Sequence, residues 1–188
     1  MMKIVFISGS PRRGGNTDFA VSYAISELNQ TLKNADINEI VLRDLHIKPC
    51  IGCRGCMVSD WCSIKDDDFD EAFKEVLAAN IIVEAAPIYW NSPPGIMKDF
   101  IDRTHAIYRG RFQRPMSGKK GFILSVAADS GFETHEDIMS SWLRVYGAQI
   151  KGRVQLLARE SGDIEKSPIE MEKLKNFTES IVESTDAI

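Results

Sequence analysis

Residues 3–17 read KIVFISGSPRRGGNT, an apolar segment followed by a loop of glycines, hydroxyl side chains and arginines. The apolar segment Lys3–Ser8 is almost uninterrupted, as expected for a central strand of a parallel sheet that is buried on both faces. The loop leads directly into Asn16–Lys33, where apolar residues recur at helical spacing. A buried strand, a glycine-rich turn and a helix in this order indicate an α/β protein built from βα units.

The rest of the chain continues this alternation of strand and helix. Because parallel strands joined by helices make right-handed crossovers, we expect a five-stranded parallel sheet with helices on both faces. No repeat, low-complexity tract or linker divides the sequence, so residues 1–188 are predicted to form a single domain. Further strands are predicted at Ile37–Leu42, Ile81–Ala86, Gly121–Ala127 and Lys151–Ala158, and further helices at Asp66–Ala79, Gly95–Thr104, Glu133–Tyr146 and Pro168–Glu183.

The composition is that of an ordinary globular protein. Of the 188 residues, 44% are hydrophobic and 27% are charged, and the net charge of −4 argues against a general nucleic-acid-binding surface. The first apolar run is too short for a signal peptide, and no segment approaches the roughly 18 apolar residues of a membrane span. We therefore expect a cytoplasmic protein with no membrane or nucleic-acid partner, whose cysteines stay reduced.

The loop after the first strand has the features of an anion site. Residues 8–17 place glycines, hydroxyls, an amide and two arginines at the start of a helix, where free N–H groups and the helix dipole attract negative charge. The loop is not a Walker A motif, since no Lys-Ser/Thr pair follows its second glycine, and it is not a GxGxxG motif. It suits a phosphate monoester better than a nucleoside triphosphate. The alternative is an ordinary polar turn between a strand and a helix.

Two more loops are expected at the same edge of the sheet, where open α/β sheets bind their ligands. Ala86–Gly95 brings Tyr89 and Trp90 next to prolines and predicts a rigid wall for a flat ring, although both aromatic side chains could instead pack over the sheet edge. Ala127–Gly131 consists mainly of small residues, which allow a ligand to approach the backbone closely. Together the three loops predict one site with an anion-binding end and a planar end.

All four cysteines lie within thirteen residues, at Cys50, Cys53, Cys56 and Cys62. Spacings of two residues let neighbouring thiolates converge on one centre, and four of them suit a [4Fe–4S] cluster. Three alternatives stay open. The loop could bind a zinc ion, although zinc ligands more often come as two separated pairs, or form two disulfides, which a reducing compartment disfavours, or bind nothing.

The sequence resembles the flavodoxin-like NAD(P)H-dependent FMN reductases and, among them, the iron–sulfur flavoproteins. The likeness is carried by SGSPRRGGNT at residues 8–17, by APIYWNSPPGIMKDFIDR at residues 86–103, and by a compact cysteine loop followed by KDDD. It implies a flavodoxin-like three-layer sandwich with strand order 2-1-3-4-5. It also implies that the FMN phosphate lies on Ser8, Ser10, Arg12, Asn16 and Thr17, and the flavin ring against Pro87, Ile88, Tyr89, Trp90 and Asn91, with Ser125, Asp129 and Gly131 on another side.

The same resemblance implies a redox enzyme. We expect the flavin to carry the chemistry, with no side chain needed as acid or base, and electrons to pass between FMN, the cluster and an external partner. That partner would be NAD(P)H, a quinone or a ferredoxin-like protein, and an acidic carrier could dock on Arg109, Arg111 and Arg114. The alternatives are a cluster-free NAD(P)H-dependent FMN or quinone reductase and a non-catalytic flavodoxin-type carrier. A homodimer or homotetramer is expected, because such relatives build the site from two or four subunits.

Several other residues are predicted to be structural. His46 is expected to be a solvated loop residue. His105 and His135 fall at helix ends and are expected to make capping or solvent contacts. Trp142 falls on the apolar side of its helix and is expected in the core. Asp66–Asp68 is expected to supply the acidic start of a helix.

Overall fold

The structure, a computed structural model, describes residues 1–59, 61–108 and 114–185. Five parallel strands form one sheet in the order β2-β1-β3-β4-β5, which confirms the predicted flavodoxin-like α/β fold. Among the helices described, none combines the length and the apolar character needed to cross a bilayer. The strands are β1 (Met2–Ser8), β2 (Ala35–Val41), β3 (Ile81–Pro87), β4 (Lys120–Ala127) and β5 (Gln149–Leu157). The helices are α1 (Asn16–Thr31), α2 (Cys56–Ser59), α3 (Phe69–Ala78), α4 (Gly95–Arg103), α5 (Phe132–Val145), α6 (Asp163–Lys166) and α7 (Pro168–Thr185), with 3₁₀ turns at Leu42–Asp44 and Thr104–Ile107.

The two edge strands begin earlier than predicted. Strand β2 starts at Ala35, which pairs with Met2, and β5 starts at Gln149, which pairs with Lys120. The first residues of both strands are only partly buried or exposed, so they carry little hydrophobic signal. Their start is set instead by backbone pairing with the neighbouring strand, which a sequence pattern does not display.

Two apolar layers hold the sheet between its helices. Successive residues of β1 point to opposite faces, so that Val5 and Ile7 enter one buried cluster while Ile4 and Phe6 enter the other. Helices α3, α4 and α5 cover the first face, and α1 and α7 cover the second. Each fully buried side chain of this size contributes about 1.5–3 kcal/mol, so β1 is anchored from both sides.

Helix α3 begins at Phe69, later than the predicted start at residue 66. The two preceding carboxylates have partners in other segments. Asp67 accepts a hydrogen bond from Arg103 at 2.6 Å, and Asp68 accepts one from the backbone N–H of His46 at 2.7 Å. The acidic run therefore ties the segment before the cysteines to α3 and α4, and only its last residue serves as the N-cap position of the helix.

His135 corrects the prediction of a histidine with a capping or solvent contact. It lies in the first turns of α5 on the face that packs against the sheet, and none of its surface is exposed. Burial lowers the pKa of the imidazole to about 4, with the backbone of Ser92 opposing that shift. His135 is therefore a neutral core residue at physiological pH. His46 and His105 are exposed, as predicted.

Trp142 is in the core as predicted, and it hydrogen bonds to a buried acid. Its ring packs edge-on against Phe100, with the ring centroids 6.3 Å apart. Its Nε1–H donates to Oε1 of Glu84 in β3 at 2.9 Å. Glu84 is fully buried, and within the described residues its Oε2 has no hydrogen-bond partner. Burial therefore raises the pKa of Glu84 well above its usual value.

Replacing Glu84 by glutamine is expected to remove one source of pH-dependent stability. As the pH rises past its ordinary pKa, Glu84 ionises in the unfolded chain but stays protonated in the folded one, so the wild type loses stability. The loss relative to Glu84→Gln amounts to about 1.4 kcal/mol per pH unit above roughly pH 5, until the folded protein also ionises. Urea unfolding of both proteins between pH 5 and 8 measures this difference.

Exposed Glu133 of α5 supplies the control for this experiment. Glu133→Gln makes the same substitution at a position that is open to solvent, and it should give the wild-type pH profile. If Glu84→Gln also follows the wild-type profile, then Glu84 does not remain protonated in the folded protein.

Candidate active site

The loop between β1 and α1 forms an open cradle at the carboxyl edge of the sheet. The backbone N–H of Gly9 donates to the carbonyl of Ala85 at 2.8 Å, and a Cβ at Gly9 would lie only 2.8 Å from Cβ of Met97 in α4. Gly15 occupies the N-cap position of α1, and no side chain in the described chain caps it. The first N–H groups of α1 therefore keep their capacity to bind an anion.

The three arginines around this loop differ in their partners. Arg43 donates to Oδ1 of Asp18 at 2.8 Å and to a carbonyl of the loop at 3.2 Å, which braces the loop. Arg13 forms an ion pair with Asp44. Arg12 has no ion-pair partner among the residues described, and its side chain lies next to the N-cap of α1. Of these three arginines, Arg12 is therefore the one that is left for a bound anion.

A cleft of about 160 Å³ opens between this cradle and the loops after β3 and β4. Seven of the residues predicted for the site line it together, which supports a single site with two ends. These are Ser10, Arg12, Asn16, Thr17, Pro87, Ile88 and Tyr89. The remaining wall consists of Gly15, Val126, Ala127, Ala128, Ala158 and Arg159.

The other predicted residues lie near the cleft without lining it. Ser8, the last residue of β1, and Ser125, within β4, are fully buried, and in the described structure their hydroxyls have no hydrogen-bond partner. Asp129 is exposed and accepts a hydrogen bond from the hydroxyl of Ser130 at 3.0 Å. Trp90, Asn91 and Gly131 lie in the loops that follow β3 and β4.

Sequence reasoning missed the loop after β5, residues 158–162, which completes the cleft. The side-chain amide of Asn16 donates to the carbonyl of Glu160 at 2.7 Å and accepts from the N–H of Gly162 at 3.0 Å. Asn16 is therefore engaged in fixing this loop beside the cradle. Arg159 lines the cleft and donates from Nε to a carbonyl of the β4–α5 loop at 3.2 Å. The polar run RESGD at residues 159–163, one residue after strand β5, is the signal that could have identified it.

The loop after β3 forms a tight turn with two residues in an unusual conformation. Tyr89 and Ser92 exchange backbone hydrogen bonds at 2.8 and 3.0 Å. Between them, Trp90 and Asn91 have φ angles of 51° and 59°, in the left-handed region that side chains other than glycine rarely occupy. Such a conformation costs about 1–3 kcal/mol for each residue and is concentrated at functional sites. The turn leaves the Trp90 side chain 99% exposed.

Gly131 keeps the β4–α5 loop in contact with this turn. Its φ is 93°, and a Cβ there would lie 2.5 Å from Oδ1 of Asn91 and 3.1 Å from Cγ2 of Ile88. Gly131→Ala is therefore expected to destabilise the protein by about 1–3 kcal/mol and to displace the wall of the cleft. Urea unfolding together with a titration with FMN, the ligand that the sequence predicts, measures both effects, and we expect this ligand to bind the variant more weakly than the wild type.

Gly118 provides a matched control for Gly131. Its φ of 83° carries the same backbone cost for alanine, but no atom of the described residues lies within 4 Å of the added Cβ. Gly118→Ala should therefore lose stability without losing FMN affinity. Equal FMN binding by both variants would show that the Gly131 contact does not shape the site.

The cysteine loop lies beside the C-terminal end of α4. All four cysteines line one cavity of about 640 Å³, and Arg103, His105 and Tyr108 line it as well. Cys62 is buried, Cys56 is partly buried, and Cys50 and Cys53 are exposed. No three acidic, histidine or cysteine side chains within residues 1–59, 61–108 and 114–185 are arranged as ready metal ligands.

The backbone of the cysteine loop is closely wrapped. Gly52 and Arg54 have φ angles of 65° and 60°, and a Cβ at Gly55 would meet Oγ of Ser63 at 2.5 Å. The thiol of Cys53 lies 3.2 Å from the same Ser63 hydroxyl. That hydrogen bond, together with one from the backbone of Gly55, lowers the pKa of the Cys53 thiol. The donor set and the shared cavity fit a thiolate-bound cluster, which these cysteines would hold after a local rearrangement.

Helix α4 joins the cleft to the cysteine cavity. It begins at Gly95, shortly after the Tyr89–Ser92 turn, and ends at Arg103, which lines the cysteine cavity. Eight steps of helical rise place these ends about 12 Å apart. The molecule therefore presents two sites connected by one short rigid element.

The strand order and a ligand cleft at the carboxyl edge of the sheet define a flavodoxin-like α/β protein. The family model of NADPH-dependent FMN reductases matches residues 2–163. The chain is also 31% identical over 153 residues to an iron–sulfur flavoprotein of Methanosarcina thermophila, covering 80% of this chain and 78% of that relative. This chain therefore belongs to the NADPH-dependent FMN reductase family, in the group whose curated members are named iron–sulfur flavoproteins, and it is a flavin oxidoreductase.

Further comparisons agree with this assignment. An iron–sulfur flavoprotein of Methanocaldococcus jannaschii is 28% identical over 192 residues, covering 97% of this chain and 96% of the relative. Two solved structures share the fold. An NADH:FMN oxidoreductase superposes with a TM-score of 0.70 at 20% identity, covering 95% of this chain and 87% of that one. An NAD(P)H:quinone oxidoreductase from Methanothermobacter marburgensis gives a TM-score of 0.70 at 14% identity, covering 95% and 94%.

Proposed function

We propose that this chain binds FMN in the cleft and moves electrons between an external partner, the flavin and a [4Fe–4S] cluster on its four cysteines. The observation that carries the FMN site combines three features of the described residues: a helix start without a side-chain cap, Arg12 without an ion-pair partner, and a wall formed by Pro87–Tyr89. An anion at one end and an apolar planar group at the other match a flavin mononucleotide. Bound FMN would supply the hydride and one-electron chemistry.

The residues of the cleft would bind and orient the flavin. Ser10, Thr17 and the start of α1 would donate hydrogen bonds to the phosphate, and Arg12 would neutralise its charge. The 87–91 segment would lie against the ring, where the exposed Trp90 side chain offers an aromatic surface.

The cysteines would hold the cluster as Cys50, Cys53, Cys56 and Cys62. The support for this proposal is that all four line one cavity and that Cys62 is buried beside a cation. One observation favours a second candidate, a cluster-free NAD(P)H-dependent FMN or quinone reductase. The described residues contain no ready set of three metal ligands, so cluster binding requires the loop to rearrange.

The external partners we propose are NAD(P)H as the donor and a quinone or a ferredoxin-like protein as the acceptor. Of the basic docking patch predicted from the sequence, Arg109 and Arg111 lie outside the described residues, whereas Arg114 is exposed. We also propose a homodimer or homotetramer. Trp90 and Tyr89 are large exposed side chains at the mouth of the cleft, and contact with a second subunit would cover them.

Anaerobic purification followed by two measurements tests the proposed function. An FMN titration followed by flavin fluorescence should give a stoichiometric complex, and iron and acid-labile sulfide should be present in equal amounts after reconstitution. A protein that ignores added FMN would contradict the flavin site. A protein that binds FMN but retains no iron would leave the cluster-free reductase as the function.

A further inference from the structure

Arg103, the last residue of α4, is a buried cation in the wall of the cysteine cavity. Its side chain has no exposed surface, and that of its partner Asp67 is 1% exposed. The two terminal nitrogens donate to the two carboxylate oxygens of Asp67 at 2.6 and 3.3 Å, and the guanidinium carbon lies 4.4 Å from the ring centre of Phe69. A buried ion pair needs its remaining hydrogen bonds satisfied, so the geometry around Arg103 is tightly fixed.

The same guanidinium joins both ends of the cysteine loop. It donates from Nη1 to the carbonyl of Lys48 at 2.9 Å and from Nη2 to the carbonyl of Ile64 at 3.3 Å. Lys48 stands two residues before Cys50, and Ile64 stands two residues after Cys62. The Arg103 side chain of α4 therefore holds together the two ends of the segment that carries all four cysteines. We call these two ends, Lys48 and Ile64, the neck of the cysteine loop.

The remaining donor of Arg103 is directed at a cysteine. Its Nε–H donates to Sγ of Cys62 at 3.1 Å. Cys62 is the buried member of the four, whereas Cys50 and Cys53 are exposed. The hydrogen bond therefore fixes the position of the one buried cysteine sulfur relative to the end of α4.

We propose that Arg103 is the positioning residue of the cluster site: it fixes Cys62 as the buried ligand, closes the neck of the loop, and raises the cluster's reduction potential through the Nε–H···Sγ hydrogen bond. This inference rests on the cluster of the proposed function. A hydrogen bond to a ligand sulfur stabilises the added negative charge of the reduced cluster. Losing this hydrogen bond should lower the equilibrium constant for reduction of the cluster about tenfold. For a one-electron couple this corresponds to a reduction potential that is lower by ~59 mV.

Two variants separate this role from folding. Arg103→Met combined with Asp67→Asn removes both charges, so that no buried charge is left without a partner. Arg103→Lys keeps a cation opposite Asp67 but removes the planar group that reaches three segments at once. Arg144→Met removes an exposed arginine of α5 and serves as the control.

Each protein is reconstituted anaerobically and assayed for FMN binding, iron and sulfide content, and the midpoint potential of the cluster. We expect wild-type FMN binding throughout, with severalfold less iron and a more negative potential in the double variant, and the same changes to a smaller extent in Arg103→Lys. Wild-type iron content and potential in both Arg103 variants would overturn the inference while leaving the cluster in place. Absence of iron from the wild-type protein would instead refute the cluster, and the inference with it.

Discussion

Replacing Arg12 by glutamine is expected to weaken FMN binding by about 10- to 100-fold. Arg12 is the loop arginine without an ion-pair partner in the described structure, and it lies at the uncapped start of α1. A hydrogen bond to a charged group is worth about 1.5–3 kcal/mol, and each 1.4 kcal/mol corresponds to a tenfold change in affinity. Fluorescence titration with FMN measures the loss.

Riboflavin distinguishes a phosphate contact from general damage to the site. Because riboflavin lacks the phosphate, its affinity should be the same in the wild type and in Arg12→Gln. The FMN affinity of the wild type should also fall as salt is added, more steeply than that of the variant, since a charge interaction is screened. Equal losses for FMN and riboflavin would show that Arg12 acts on the shape of the cleft and not on the phosphate.

Arg13 is the matched control, since it is the neighbouring residue with the same side chain. It is 73% exposed and already paired with Asp44. Arg13→Gln removes the same charge from the protein, so it should reproduce any long-range electrostatic effect of Arg12→Gln. We expect it to change FMN affinity by less than about threefold, because an exposed ion pair contributes little.

The features that were predicted well are those that depend on residues close together in the sequence. Strand β1, the loop after it and helix α1 follow one another within the first thirty-one residues, and each has a local pattern of hydrophobicity or turn residues. The cleft follows from the rule that parallel strands share a carboxyl edge, so loops distant in sequence meet there. Seven predicted residues line it for that reason.

The features that were missed depend on contacts between distant residues. Asn16 binds Glu160, 144 residues away, and Arg103 binds Asp67 across 36 residues. Nothing in the local sequence distinguishes an asparagine that fixes a loop from one that contacts a ligand. The burial of His135 likewise depends on which face of α5 meets the sheet. Such choices are settled by tertiary packing.

Helix α4 supports both the cleft and the cysteine loop. Met97 of α4 packs against Gly9 in the cradle between β1 and α1, while Arg103 at the other end of α4 holds the neck of the cysteine loop. Phe100 between them is fully buried among aromatic side chains. A short helix with such packing would keep the spacing between the proposed flavin and the proposed cluster nearly constant, as electron transfer between them would require.

Replacing Cys53 by serine is expected to reduce cluster content to less than about a tenth of the wild type, since a neutral hydroxyl replaces a thiolate ligand. Cys53 is exposed, so the stability of the protein and its FMN content should change little, by less than about 0.5 kcal/mol in unfolding free energy. Met57→Ser is the matched control, because it introduces the same residue at an exposed position of the same loop without removing a thiol. Iron analysis and the EPR spectrum of the reduced protein measure the outcome. Full iron content in Cys53→Ser would exclude a cluster bound by all four cysteines, and equal loss in Met57→Ser would attribute the effect to the loop conformation.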